Sequence, residues 1–418
     1  MRVWLVHVGE PLPIDAVNER QLRMSLFART LADSGHDVVW WSSTFDHTHK
    51  RQRFDRDTVV EAGDRLTLQL MHAAPYASNI SISRLVNHRQ LAAAFVRLAR
   101  LVPAEAIPDV IFASMPTLEL AAAAARFGRD RKIPVVVDVR DLHPDIYQAL
   151  VPGIARPLAK VALAPLYSDL RTSVTLATGL VAIAPSFLQW ALAHAGRQAG
   201  PQDAVFPLAY PELITPPEEV ENAAERLHAA GVRADRKIVW YVGTFNRWID
   251  LATAIRAARI LADEGRTDVQ FVFSGSGGFD AEWRRLAAPL PNVVFTGWVD
   301  IPGIAYMRSV AWAGLAPYRT GFNTVGNKLF EYMAGGLPVL LSIGGDAKAI
   351  IENHHCGIAY SGGEPASLAA AIHELLADGI QPRMAANSLA AYQNHYSADK
   401  VYAEMARFVL GFADKRDS

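Results

Sequence analysis

Gly321-Phe322-Asn323-Thr324-Val325-Gly326-Asn327-Lys328-Leu329-Phe330-Glu331-Tyr332-Met333-Ala334-Gly335-Gly336-Leu337-Pro338-Val339 reads as a loop, then a helix, then the start of a strand. The glycine-containing loop enters a helix near Val325, the Gly335-Gly336 pair ends it, and the apolar run 339–342 continues as a strand. A helix N-terminus offers unpaired N–H groups and partial positive charge, so Val325, Gly326 and Asn327 are suited to receive a diphosphate. Lys328 adds a full charge within the first turn. Glu331, one turn further on, can accept hydrogen bonds from two vicinal ribose hydroxyls. The alternative is that Lys328 and Glu331 are solvated charges on adjacent turns, and spacing alone does not separate the two readings.

The same rhythm of short apolar runs and longer helical patterns extends in both directions, which predicts parallel sheets with crossover helices. In the first half the strands are expected at 2–8, 37–42, 66–71, 109–113, 134–139 and 180–184. Helices are expected between them at 18–34, 84–101, 116–128, 155–175 and 186–196. The stretch 206–220 holds Pro207, Pro211, Pro216 and Pro217 and reads as a hinge. Beyond it the alternation restarts with strands at 237–243, 269–275, 293–296, 311–316 and 339–342, and with helical sequence from about 365. The expected division is an α/β domain over 1–210, a second over 211–395, and a C-terminal helix over 396–418 that can pack back on the first.

Bulk properties narrow the function classes. The 418 residues carry 41 Lys+Arg against 42 Asp+Glu, so no global charge drives binding to nucleic acid or membrane. No apolar run is long enough to span a bilayer, and Met1–Val8 has no basic leader region, so a cytoplasmic location is expected. The single Cys356 excludes an internal disulfide and reads as a structural thiol.

Other stretches carry chemistry with less specificity. Ser274-Gly275-Ser276-Gly277-Gly278 follows a strand but misses the dinucleotide spacing. Asp55-Arg56-Asp57 matches a metal-binding Asp-x-Asp only in passing and reads as a solvated loop. Arg20 and Arg23 open the first helix. The stretch 84–100 has four arginines and no acid, with Leu91, Phe95 and Leu98 along one stripe. It reads either as a surface helix, the preferred alternative, or as a basic face for anionic lipid headgroups.

Four stretches together resemble one family. Asn327–Val339 looks like the donor-site helix of the GT4 family of retaining glycosyltransferases, in particular the bacterial O-antigen and capsule branch that includes N-acetylfucosaminyl transferases. Val137-Asp138-Val139-Arg140-Asp141-Leu142-His143-Pro144-Asp145 is similar to a stretch of that branch, with His143 in place of its usual Trp. Ala113–Thr117 and Tyr241-Val242-Gly243-Thr244-Phe245-Asn246-Arg247 match in the same order. The resemblance implies a GT-B fold, two Rossmann-like βα domains facing each other across a cleft. It implies transfer of a sugar, with retention, from a nucleotide diphosphate donor, UDP-linked by expectation, to a saccharide or polyprenyl-linked acceptor. Neither cofactor nor metal is expected. Arg247 and Lys328 would draw off the leaving diphosphate, while Asp141 and His143 would position acceptor or sugar. Gly9, Gly243, Thr244, Ser276, Gly277, Trp298, Asn323, Val325, Gly326, Asn327 and Glu331 would line the nucleotide-sugar site, with Trp298 either facing the base or capping the core.

The departures bear on the site. Many GT4 enzymes place a second Glu where this chain has Asn323, and a Lys soon after the residue matching Arg247. Lys328 is expected to take over that Lys role. A nucleotide-sugar 2-epimerase on the same architecture, and a non-catalytic sugar-nucleotide-binding protein, stand as the alternatives.

Overall fold

Short β-branched and aromatic runs make the strands, and alanine- and leucine-rich amphipathic runs make the helices that cover them. The structure is a computed structural model that describes residues 1–15, 21–149, 151, 156–319 and 324–414. It divides into two compact units, Met1–Pro207 with Val401–Ser418, and Leu208–Lys400.

The first unit contains β1 (Arg2–Val6), β2 (Asp37–Ser43), β3 (Phe45–Asp46), β4 (Arg51–Gln52), β5 (Thr58–Gly63), β6 (Leu66–Met71), β7 (Val110–Ser114), β8 (Val135–Val139), β9 (Gly179–Ala182) and β10 (Asp203–Val205). Strands β3 and β4 pair as a small antiparallel ribbon. The others form one sheet in the order β10-β9-β8-β7-β1-β2-β6-β5, parallel except where β5 meets β6. Strands β7 and β8 are buried along their whole length, as strands covered on both faces must be. Trp4 on β1 anchors the core, with ring centroids 4.8 Å from Trp41 and 5.6 Å from Phe127. Phe95, on the helix Ile82–Ala99, closes this cluster 5.1 Å from Trp41. Leu91 and Phe95 of the apolar stripe are therefore spent on the core, while Leu98 is only partly buried.

The second unit contains β11 (Lys237–Val242), β12 (Val269–Ser274), β13 (Val293–Gly297), β14 (Ala311–Ala316), β15 (Val339–Leu341) and β16 (Gly357–Ala359), all parallel, in the order β13-β12-β11-β14-β15-β16. In each unit the first strand lies between two later ones, β1 between β2 and β7, and β11 between β12 and β14. Chain order reverses there, which opens a crevice at the carboxyl ends of the strands.

Several boundaries differ from the sequence expectation for physical reasons. Strands β5 and β10 were not expected; both lie at sheet edges, where partial burial leaves a weak apolar signal. The proline-rich stretch does not stay irregular to 220. Pro217 opens the helix Pro217–Ala229 at its first position, where a missing N–H costs nothing. The donor-type helix runs Asn327–Ala334 with Gly326 as its N-cap, so Val325 precedes it and is buried. Asp55 and Arg56 are exposed loop residues, while Asp57 is partly buried, accepting from His72 N at 2.8 Å and pairing with Arg97 at 2.5 Å. The final helix, Ala398–Asp414, lies against the first unit from Val401 on, with Phe408 5.5 Å from Phe206 and Met405 Sδ accepting from Arg23. No helix among the described residues is long and apolar enough to cross a membrane. Cys356 is buried, and burial pushes its thiol up to about 12, which suits a structural role.

Candidate functional site

The crevice of the second unit is built from three loop segments. After β11, Tyr241 Oη donates to the carbonyl of Thr244 at 3.0 Å and holds the Gly243–Arg247 loop in a tight curl. After β12, the backbone of Gly275 comes so close to Gly243 that a side chain there would overlap the Gly243 carbonyl, and Gly277 meets the Phe245 carbonyl in the same way. Only glycine lets these loops touch, and both adopt φ near +150°. The loops are joined by Phe245 N donating to Ser276 O at 2.8 Å, and Gly275 N donates to Gly297 O at 2.7 Å. After β14, the chain passes Tyr318 and leads to the helix Asn327–Ala334.

Lys328 reaches from that helix across the crevice. A methyl group built on Gly243 would lie 3.4 Å from Lys328 Nζ. Its ammonium sits 5.1 Å from the Tyr241 ring and 5.2 Å from the Tyr318 ring, a cation–π seat on two aromatic faces. Tyr332, on the same helix, pins helix and sheet together. Its hydroxyl donates to Leu315 O at 2.9 Å and accepts from Val242 N at 3.2 Å, and its ring fills the space left by Gly314. Glu331 is 1% exposed, so the solvated reading does not apply to it. Arg247 is exposed four residues beyond Gly243 in the same loop, its guanidinium 5.8 Å from the Trp248 ring. Trp298 is 70% exposed at the carboxyl end of β13 and caps no core.

The structure thus brings Gly243, Thr244, Ser276, Gly277, Gly326, Asn327 and Lys328 to one edge of the second sheet, with Arg247 on the same loop. Asn323 lies outside the described residues, as does Arg20. Sequence reasoning missed Arg319. Its N–H donates to Trp248 O at 2.9 Å and its guanidinium lies 6.0 Å from the Phe279 ring, so it adds a cation beside both glycine loops. No signal in the sequence marks it, because its place depends on β14 pairing beside β11.

In the first unit, Gly9 follows β1 with φ +99°, and Asp141 and His143 follow β8. Between them lies a buried polar network. Asp138 takes Arg23 bidentately, at 3.1 and 2.9 Å, and Ser114 Oγ at 2.9 Å. Arg140 pairs with Glu10, tying the loop after β8 to the loop after β1, and Glu10 also accepts from Met24 N at 2.9 Å. His7 sits 3.6 Å from Glu10 and 3.3 Å from Arg140, and burial, helped by Arg140, lowers it to about 4. Asp141 is half-buried, and burial raises its carboxyl to about 6 against the pull of Arg140 and Arg84. His143 stacks edge-on to Tyr147 at 4.9 Å and is lowered to about 4 by burial and then by Arg84. Sequence reasoning missed His7 and Glu10; a charged or polar residue within or beside an apolar strand is the signal that finds them, as it finds Asp138 in Val135–Val139.

Residues 236–378 match the family model described as "Glycosyl transferases group 1". No curated protein sequence matches the chain. Among solved structures the chain is similar to sucrose-phosphate synthase from Thermosynechococcus elongatus, with TM-score 0.75, 20% identity and 99% of each chain covered. It is also similar to HepE from Anabaena in complex with UDP, with TM-score 0.67, 17% identity, and 98% of this chain and 100% of that one covered. A third is WaaG, a glycosyltransferase involved in lipopolysaccharide biosynthesis, with TM-score 0.66, 15% identity, and 98% and 100% covered. These likenesses show the fold: two Rossmann-like α/β units of the GT-B type, with the group 1 glycosyl transferase match confined to the second.

Proposed function

We propose that the chain is a glycosyltransferase that takes a sugar from a nucleotide diphosphate donor bound at the strand-order reversal of its second unit. The observation that carries this is Lys328 Nζ lying beside Gly243, with the glycine loops 243–247 and 275–277 and the start of the helix Asn327–Ala334 around it. An ammonium, exposed N–H groups and side-chain-free backbone are what a diphosphate needs. The donor is assigned as a UDP-sugar; HepE, which shares the fold, was solved with UDP.

Departure of the diphosphate concentrates negative charge on its terminal phosphate. Lys328, Arg247 and the N–H groups at the helix start meet that charge, and Arg319 adds to the field. Glu331 holds the ribose hydroxyls, and Trp298 offers a face to the base. The acceptor, a glycan or lipid-linked saccharide of bacterial surface polysaccharide assembly, is held by the first unit near Gly9, Asp141 and His143. Its hydroxyl attacks the same face the diphosphate leaves, and its proton passes to a departing phosphate oxygen, so configuration is retained. No metal is required for this charge balance. The acceptor class and retention rest on the sequence resemblance at 137–145 and 327–339.

A thermal-shift screen of nucleotide-sugars tests the reading, since a donor at 100 times its Kd stabilises the fold by about 2.7 kcal/mol. A UDP-sugar is expected to raise the melting temperature, and Glu331→Ala to abolish both the shift and sugar release. Wild-type turnover in Glu331→Ala would refute the donor site. Conversion of UDP-GlcNAc to its 2-epimer without acceptor would refute the transferase.

A further inference from the structure

The first unit holds a second cationic cluster that the donor chemistry does not use. It gathers loop residues His47 and Lys50 beside β3 and β4, Tyr76 and Asn79 after β6, Arg84 on the helix Ile82–Ala99, and His143 after β8. Lys50 Nζ donates to Asn79 Oδ1 at 2.6 Å, lies 3.3 Å from His47 Nδ1, and sits 4.9 Å from the Tyr76 ring. The Arg84 guanidinium lies 5.9 Å from the same ring and donates to Asn79 O at 2.6 Å and to His88 Nε2 at 3.3 Å. Two cations are thus held against one tyrosine by neutral partners alone.

Among the described residues neither Lys50 nor Arg84 pairs with a carboxylate, and the acids facing them are committed or weakened. Asp46 is taken by His49, Arg51 and Arg53 at 2.9, 3.4 and 3.8 Å. Glu119 lies 3.6 Å from His88. Asp141 feels Arg84 but is raised by burial. Lys50 is held at φ +55°, a left-handed backbone that a non-glycine residue adopts at a cost. Donors remain to be used: an ammonium has three N–H groups and a guanidinium five. A second, independent observation points the same way. The buried Nδ1 of His143, whose ring feels the Arg84 charge, has no hydrogen-bond partner among the described residues. Gly9 adjoins the cluster, since a side chain there would touch His47 at 4.0 Å.

We propose that Lys50 and Arg84, with His47 and His143, bind a phosphoryl group, the anionic end of a phosphorylated acceptor. That the anion belongs to an acceptor rests on the proposed transferase function; the anion site rests on the cluster alone. Pyrophosphate is titrated into the full chain with UDP present to occupy the donor site, for wild type, Lys50→Gln, Arg84→Gln and Arg89→Gln. The two cluster variants are expected to bind pyrophosphate at least about 10-fold more weakly. Arg89→Gln, an exposed arginine on the same helix, should stay within about twofold. Melting temperatures without ligand report folding, and Lys50→Gln keeps the test open should Arg84→Gln unfold. Glucose 6-phosphate binding tighter than phosphate would assign a sugar phosphate, and farnesyl diphosphate binding tighter than pyrophosphate a lipid diphosphate; both support the site. Unchanged pyrophosphate affinity in folded Lys50→Gln and Arg84→Gln overturns it. UDP is titrated separately: failure of UDP to bind would sink the donor reading while leaving the comparison of wild type with cluster variants intact.

Discussion

Replacing Lys328 with Met removes the ammonium seated against the Tyr241 and Tyr318 rings while keeping an apolar side chain of similar length. The ammonium lies 3.4 Å from the point a Gly243 side chain would reach. A phosphate oxygen resting on the Gly243–Thr244 backbone would therefore come within about 4 Å of it. At the effective dielectric of a partly buried site, one unit charge at that distance is worth about 4 kcal/mol. Each 1.4 kcal/mol is a factor of ten, so the ceiling on the effect is about 10³-fold. Some of that interaction exists already in the bound donor and some appears only as the diphosphate leaves. UDP affinity and kcat should therefore both fall, with kcat/KM down by at least about 10²-fold. Calorimetric titration of UDP and a sugar-release assay measure the two parts. Loss of the cation–π seat lowers stability by about 1 kcal/mol, which a melting curve separates from the binding effect. UDP affinity within threefold of wild type, in a variant that melts normally, would refute the reasoning.

Gly275→Ala forces a methyl group onto the Gly243 carbonyl, so a loss of more than about 2 kcal/mol in urea unfolding and of UDP binding is expected; a stable, UDP-binding variant would contradict the close approach. Asp138→Asn leaves the buried Arg23 guanidinium without its charge partner and should cost about 3–5 kcal/mol of stability by chemical denaturation. Trp298→Ala removes an exposed ring, so the melting temperature should hold while UDP affinity drops by about 1–3 kcal/mol. His7 is lowered to about 4 from 6.5, so the unfolded chain binds its proton first and stability falls as pH drops from about 6.5 to about 4. The full contribution is about 3 kcal/mol. Asp141, raised to about 6, acts in the opposite sense, its contribution present at low pH and lost as pH rises toward 6. His7→Asn should flatten the acid limb of a stability–pH curve, and an unchanged limb would contradict the assignment.

The two-unit parallel architecture was legible because buried parallel strands such as Val110–Ser114 and Val269–Ser274 are nearly all apolar and recur between longer amphipathic helical patterns. Edge strands β5 and β10 were not, because their residues are only partly buried and leave a weak apolar signal. The glycine loops of the second unit were legible as turns, but not the contact between them, which depends on register between β11 and β12. Lys328 could be named from its place on the helix, whereas Arg319 could not, since its value comes from β14 lying beside β11. The first-unit cluster was hidden for the same reason. Its cations come from a ribbon and a helix more than thirty residues apart, and only the fold sets both against Tyr76.

A crystal structure of the chain with UDP bound tests the central claim most directly. The account predicts the diphosphate on the Gly243–Thr244 backbone, within hydrogen-bond distance of Lys328 Nζ, with the ribose hydroxyls on Glu331. A diphosphate seated elsewhere, with Lys328 still turned between Tyr241 and Tyr318 and touching no phosphate oxygen, would contradict it.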